Sequence, residues 1–162
     1  MSALPLPLRL RRAGIVYPVW TARAAKLAGV DLPFLCAILM METSGGFNWF
    51  GHDPTVCAGW GEVTEAKYRA YVKLRDTTGL LQGVGPGQLT SLGLQQEADT
   101  AGGCWQPEHN LAVAAHFLAG LVSEHAGNLQ AAATAYNGSG PAAVAYGQRV
   151  MALREHFAAV LA

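Results

Sequence analysis

Residues 31–48 read Asp31-Leu32-Pro33-Phe34-Leu35-Cys36-Ala37-Ile38-Leu39-Met40-Met41-Glu42-Thr43-Ser44-Gly45-Gly46-Phe47-Asn48. An aspartate followed by an apolar run is a helix start, and proline is tolerated in a first turn, where no backbone N–H needs an acceptor. Leu35, Ile38 and Glu42 recur at i, i+3 and i+7, so a carboxylate shares the face of aliphatics that should be buried. That is a costly place for a charge unless it has a task. The run closes on a glycine pair, and Phe50-Gly51-His52-Asp53 then brings a second carboxylate.

Further helices extend from this one in both directions. Pro18 to about Leu27 reads as a helix with Gly29 as its stop. Thr64 caps a helix to about Arg75 with Tyr68, Tyr71 and Val72 on one side, and Leu89 to Asp99 reads as a short helix. Pro107 and Glu108 start a helix whose face is Leu111, Ala114, Ala115, Leu118, Leu121 and Val122. Gly127-Asn128 breaks the chain and recaps a helix from Leu129 to Tyr136. A last helix carries Val150, Leu153, Phe157 and Val160/Leu161. Residues 43–64 are rich in Gly, Trp and Asn and predict a loop or small hairpin layer, and 79–87 a turn-rich connection. Leu and Pro alternate near the start, so residues 1–16 are expected to form an extended arm packed on the domain. The expected fold is mainly α: one helical domain, residues 1–162, with a small β element, no repeats and no linker.

Composition narrows the function classes. At 162 residues with 51% hydrophobic and 14% charged residues, the chain can build a generous core. Eleven Lys+Arg balance eleven Asp+Glu, which argues against electrostatic binding to nucleic acid or anionic lipid. The longest apolar run, Leu32 to Met41, is half of the ~20 residues that span a bilayer. The arginines at 9, 11 and 12 follow the Leu-Pro repeats, whereas a secretory signal places charge first. The expectation is a protein held in a cytosol until something else releases it. Cys36 reads as a small core residue. Cys57 and Cys104 could pair, but reduced thiols are expected in a chain without an export signal.

Glu42 is the candidate for chemistry. A free Glu near pKa 4.3 is ionised at neutral pH. Burial lifts that value and lets the carboxyl hold a proton until a leaving oxygen needs it, which is the requirement of glycoside cleavage. The competing reading is a solvated glutamate at a helix end. Trp49, Trp60 and Trp105 could face sugar rings, although most tryptophans are core or rim and at most one is expected to form a subsite wall. His52, His109, Cys57 and Cys104 lack the spacing of a zinc site, so scattered residues are the better reading.

Four blocks, in order, resemble the lysozyme-like superfamily of lytic transglycosylases and goose-type lysozymes: Glu42-Thr43-Ser44-Gly45-Gly46; Gly83-Val84-Gly85-Pro86-Gly87-Gln88-Leu89-Thr90; Asn110-Leu111 with Ala114 and Leu118; and Gly127-Asn128-Leu129 through Ala135-Tyr136-Asn137-Gly138-Ser139-Gly140-Pro141. Gly51-His52-Asp53, the Gln88 turn and Gly102-Gly103-Cys104-Trp105 are similar to catalytic domains of actinobacterial phage endolysins. The resemblance implies an α+β lysozyme-like fold. It also implies Glu42 as general acid/base, and Thr43, Gln88, Tyr136 and Asn137 around the substrate. Thr43 stands where the family has Ser and keeps the hydroxyl. Gly87 stands where the family has Met, which removes an apolar contact.

The implied activity is cleavage of the MurNAc–GlcNAc linkage of peptidoglycan during phage-mediated lysis. The implied partner is the glycan strand, with no nucleic acid, no membrane insertion, no metal and no cofactor. The expected protein is a monomer held in the host cytoplasm until it reaches the wall. Asp53, with Glu62 as the other choice, is the candidate second carboxylate for a hydrolysing water. A transglycosylase needs none, because the muramyl 6-hydroxyl attacks, and His52-Asp53-Pro54 also reads as plain turn chemistry. The rivals are a zinc-dependent amidase or peptidase and a silent wall-binding module. Glu42, Gln88 and Tyr136 together argue against the silent module.

Overall fold

The computed structural model describes residues 4–52 and 61–162. Among them the chain is mainly α, with eight helices: α1 (Leu6–Arg12), α2 (Pro18–Ala28), α3 (Leu32–Thr43), α4 (Glu65–Thr78), α5 (Leu92–Ala101), α6 (Pro107–Glu124), α7 (Leu129–Asn137) and α8 (Pro141–Leu161). The caps follow the sequence. Asp31, Thr64 and Asn128 each accept a first-turn N–H, and Gly29 closes α2 in the left-handed conformation. Ser91 caps α5, which therefore starts at Leu92 rather than at Leu89. Leu89 instead pairs with Val84 across a turn.

The first sixteen residues differ from expectation. Residues 6–12 form α1, not an extended arm. Pro5 is the N-cap and Pro7 sits in the first turn, so neither proline removes an N–H that the helix requires. Leu6 and Leu10 then face the core at i, i+4. Arg9 fastens α1 to the end of α8 by donating to the carbonyls of Leu161 and Ala162, at 2.5 and 3.0 Å.

The buried side chains form two clusters. The larger gathers Leu10, Ile15, most of α3, Leu111, Ala115 and Leu118 of α6, and Tyr146, Val150 and Phe157 of α8. The smaller holds Phe50, Val63, Tyr68, Tyr71, Val84, Leu89, Ala98, Cys104, Val113 and Ala114. Helix α6 serves both: Leu111, Ala115 and Leu118 point one way, Val113 and Ala114 the other. Cys36 and Cys104 are free and buried, and burial pushes each thiol up to about 12, so neither is a thiolate at neutral pH.

The β element is minimal. Antiparallel bridges join Trp49 to Glu62, Phe50 to Val84 and Val84 to Leu89. Segment 48–51 therefore lies between 61–63 and the 83–90 turn. Alternation sends Phe50 into the smaller core and Trp49 to the opposite face.

Candidate active site

Glu42 sits in the last turn of α3, half-buried. Its Oε1 accepts a 2.5 Å hydrogen bond from the Tyr146 hydroxyl of α8. Burial holds the carboxyl above its ordinary range, and the Tyr146 bond pulls the other way without overcoming it. Burial first, and then the Glu42 charge, keep the phenols of Tyr146 and Tyr136 above their usual value, so both are neutral donors.

The glycines after Glu42 have a steric reason. Ser44 is left-handed (φ 54°), and Gly45 and Gly46 continue at positive φ. A Cβ on Gly45 would lie 2.1 Å from the Gly14 carbonyl oxygen. The Val16 N–H donates to the Gly45 carbonyl at 3.0 Å, so the segment after α1 braces the turn that ends α3. Thr43 is 4% exposed and donates to the Pro86 carbonyl at 2.9 Å. Its hydroxyl ties α3 to the 83–89 turn, not to Glu42 or to an open surface.

That turn forms the facing wall. Asn110, fully buried at the start of α6, donates to the Val84 carbonyl at 2.8 Å and accepts from the Gly87 N–H at 2.9 Å. The Tyr136 hydroxyl donates to the Gly87 carbonyl at 2.6 Å. A Cβ on Gly87 would stand 2.4 Å from the Ala114 Cβ, so the position occupied by Met in the resembled family has no room for a side chain here. Gln88 is left-handed (φ 49°), and its amide nitrogen donates to the carbonyls of Trp49 and Gly85 at 2.9 and 3.0 Å. The amide group packs over Gly51 and Gly83, where a Cβ would come within 2.7 and 2.4 Å of Oε1.

Glu42 and Gln88 line one cavity of about 250 Å³ together with Gly51, His52, Gln82 and Gly83. The structure thus brings Glu42, Gln88 and Tyr136 into one neighbourhood, with Tyr136 acting through the turn backbone. Asn137 ends α7, is exposed and is not among the lining residues. Asp53, Cys57 and Trp60 lie outside the described residues. Glu62 is exposed, opposite Trp49, and does not line the cavity. Trp105 is half-buried against Tyr68 with the Arg69 guanidinium over its ring. Among the described residues, no three His, Cys, Asp or Glu side chains gather where they could hold a metal ion.

Sequence reading missed Tyr146. The signal was available: the α8 face Val150, Phe157 extends backwards through Tyr146 and Ala143 at helical spacing, and a tyrosine on a core stripe needs a partner for its hydroxyl. One consequence is testable. The Tyr146 bond stabilises the Glu42 carboxylate, so Tyr146→Phe should raise the Glu42 pKa further. The variant should stay folded, and its Glu42 carboxyl, followed by NMR, should titrate at higher pH than in the wild type; a titration that moves to lower pH would contradict the bond.

No protein-family model, no curated protein and no solved structure matches this chain.

Proposed function

We propose that this protein is a peptidoglycan-cleaving glycosidase of lysozyme-like type, with Glu42 as its general acid/base. The observation that carries the reading is a half-buried, tyrosine-bonded glutamate whose pKa is lifted by burial, opening into a cavity walled by a glycine-rich turn. A protonated Glu42 would donate to the glycosidic oxygen as the C–O bond breaks. Its carboxylate would then take a proton from the incoming hydroxyl, which returns the acid to its starting state. Tyr146 would keep the carboxyl oriented through both steps. Gly51 and Gly83 leave room for the Gln88 amide, which sets that side chain in the cavity wall.

The incoming hydroxyl distinguishes two products. Attack by the muramyl 6-hydroxyl leaves 1,6-anhydro ends, and attack by water leaves reducing ends. Mass spectrometry of digested peptidoglycan separates them, and intact glycan strands after digestion would sink the reading. His52 lines the cavity and Asp53 follows it in sequence. If reducing ends form, Asp53→Asn should lower kcat by about 10² or more, as loss of a general base does. A larger kcat loss from Glu62→Gln would move that role to Glu62. If anhydro ends form, Asp53→Asn should be mild.

A further inference from the structure

Phe47 and Trp49 stack face to face, with ring centroids 4.4 Å apart and planes 8° from parallel. Yet they are 40% and 38% exposed. What sets them apart from other exposed apolar residues is that two aromatic rings stack in parallel on one tightly bonded stretch of backbone. The backbone beneath them is fixed. Phe47 N donates to Thr43 O, Trp49 O accepts from the Gln88 amide and from Gly85 N, and Trp49 pairs with Glu62.

Placement gives these rings a use. Alternation along 49–51 sets Trp49 and Gly51 on the same face, one pleat step apart, and Gly51 lines the Glu42 cavity. Directly paired residues share a face, so the exposed Glu62 carboxylate stands beside Trp49. The surface is therefore a flat apolar platform with a carboxylate beside it that can accept from vicinal hydroxyls. It continues the wall that carries Gln88.

We propose that Phe47, Trp49 and Glu62 form a saccharide-binding platform that extends the Glu42 cleft along the glycan strand. A pyranose offers an apolar C–H face to the aromatic stack and hydroxyl donors to Glu62. This proposal rests on the glycosidase reading above, and its test separates the two.

Chitohexaose and a purified glycan fragment of peptidoglycan would be titrated calorimetrically into the full-length Glu42→Gln protein, which should bind without turnover. Trp49→Ala and Phe47→Ala in that background should each weaken binding by about tenfold. Trp49→Tyr should restore most of the affinity, because it returns an aromatic face. Both positions are exposed, so melting curves should stay close to the parent. Binding within twofold of the parent in Trp49→Ala would overturn the platform, as would a parent that binds neither probe. Lysis by Glu42→Gln at the wild-type rate would overturn the glycosidase reading instead, and the titrations would still judge the platform.

Discussion

Glu42→Gln should abolish nearly all lytic activity while leaving a protein at least as stable as the wild type. The amide fills the same volume, and its oxygen can still accept from Tyr146. It cannot deliver a proton, and general acid/base catalysis contributes about 10²–10⁴ in rate. Stability should move the opposite way. A folded-state carboxyl pKa above the unfolded value means that the fold disfavours the charged form. Its contribution to stability is full below the unfolded pKa and is lost as pH rises through the folded pKa. The amide has no such loss. The melting temperature of the variant should therefore gain on the wild type between acid pH and neutrality. Turbidity assays on peptidoglycan and paired melts at pH 4 and pH 7 check both halves. Activity within about threefold of wild type would remove Glu42 from the mechanism.

What the sequence revealed about this site was local. The Asp31 cap and the Gly29 stop follow from side-chain chemistry within one turn, and both hold, whereas α3 is buried all round from Phe34 to Leu39 and not on one face. Contacts across the chain were not legible. Tyr146 lies 104 residues from Glu42, and no spacing rule connects a tyrosine on α8 to the last turn of α3. Thr43 took its expected role from the resemblance, and the partner of its hydroxyl, Pro86, lies 43 residues away in sequence. Helix α1 was misread for a different reason. Alternating Leu and Pro favours an extended chain unless each proline falls where a helix has no donor to lose, and that depends on a boundary the pattern does not mark. The glycines at 45 and 87 do lie in turns, as read, but their close contacts with Gly14 and Ala114 were not legible.

Asn110→Ala should be the most destabilising single change in the cleft wall. The side chain is fully buried and joins three stretches of chain. It donates to Val84 O and accepts from Gly87 N within the turn, and it reaches Cys104 O at 3.4 Å. Alanine leaves the buried Gly87 N–H without a partner, at about 1–3 kcal/mol, and removes one of two bonds to the Val84 carbonyl, which keeps the Leu89 N–H at 3.0 Å, at about 1 kcal/mol more. For a domain of this length, each kcal/mol lowers the melting temperature by roughly 2–4 °C, so a drop on the order of 10 °C is expected. The same change should reach the chemistry. Gly87 is held by Asn110 from one side and by the Tyr136 hydroxyl from the other, and Gln88 follows it directly. With the Asn110 bond gone, Gln88 should lose its fixed place over Gly51 and Gly83. KM for glycan should then rise even well below the new melting temperature. Asn110→Asp separates the two effects, because its carboxylate can still accept from Gly87 N but cannot donate to Val84 O. An Asn110→Ala protein that melts within 2–3 °C of wild type would show that water reaches the turn and replaces the side chain.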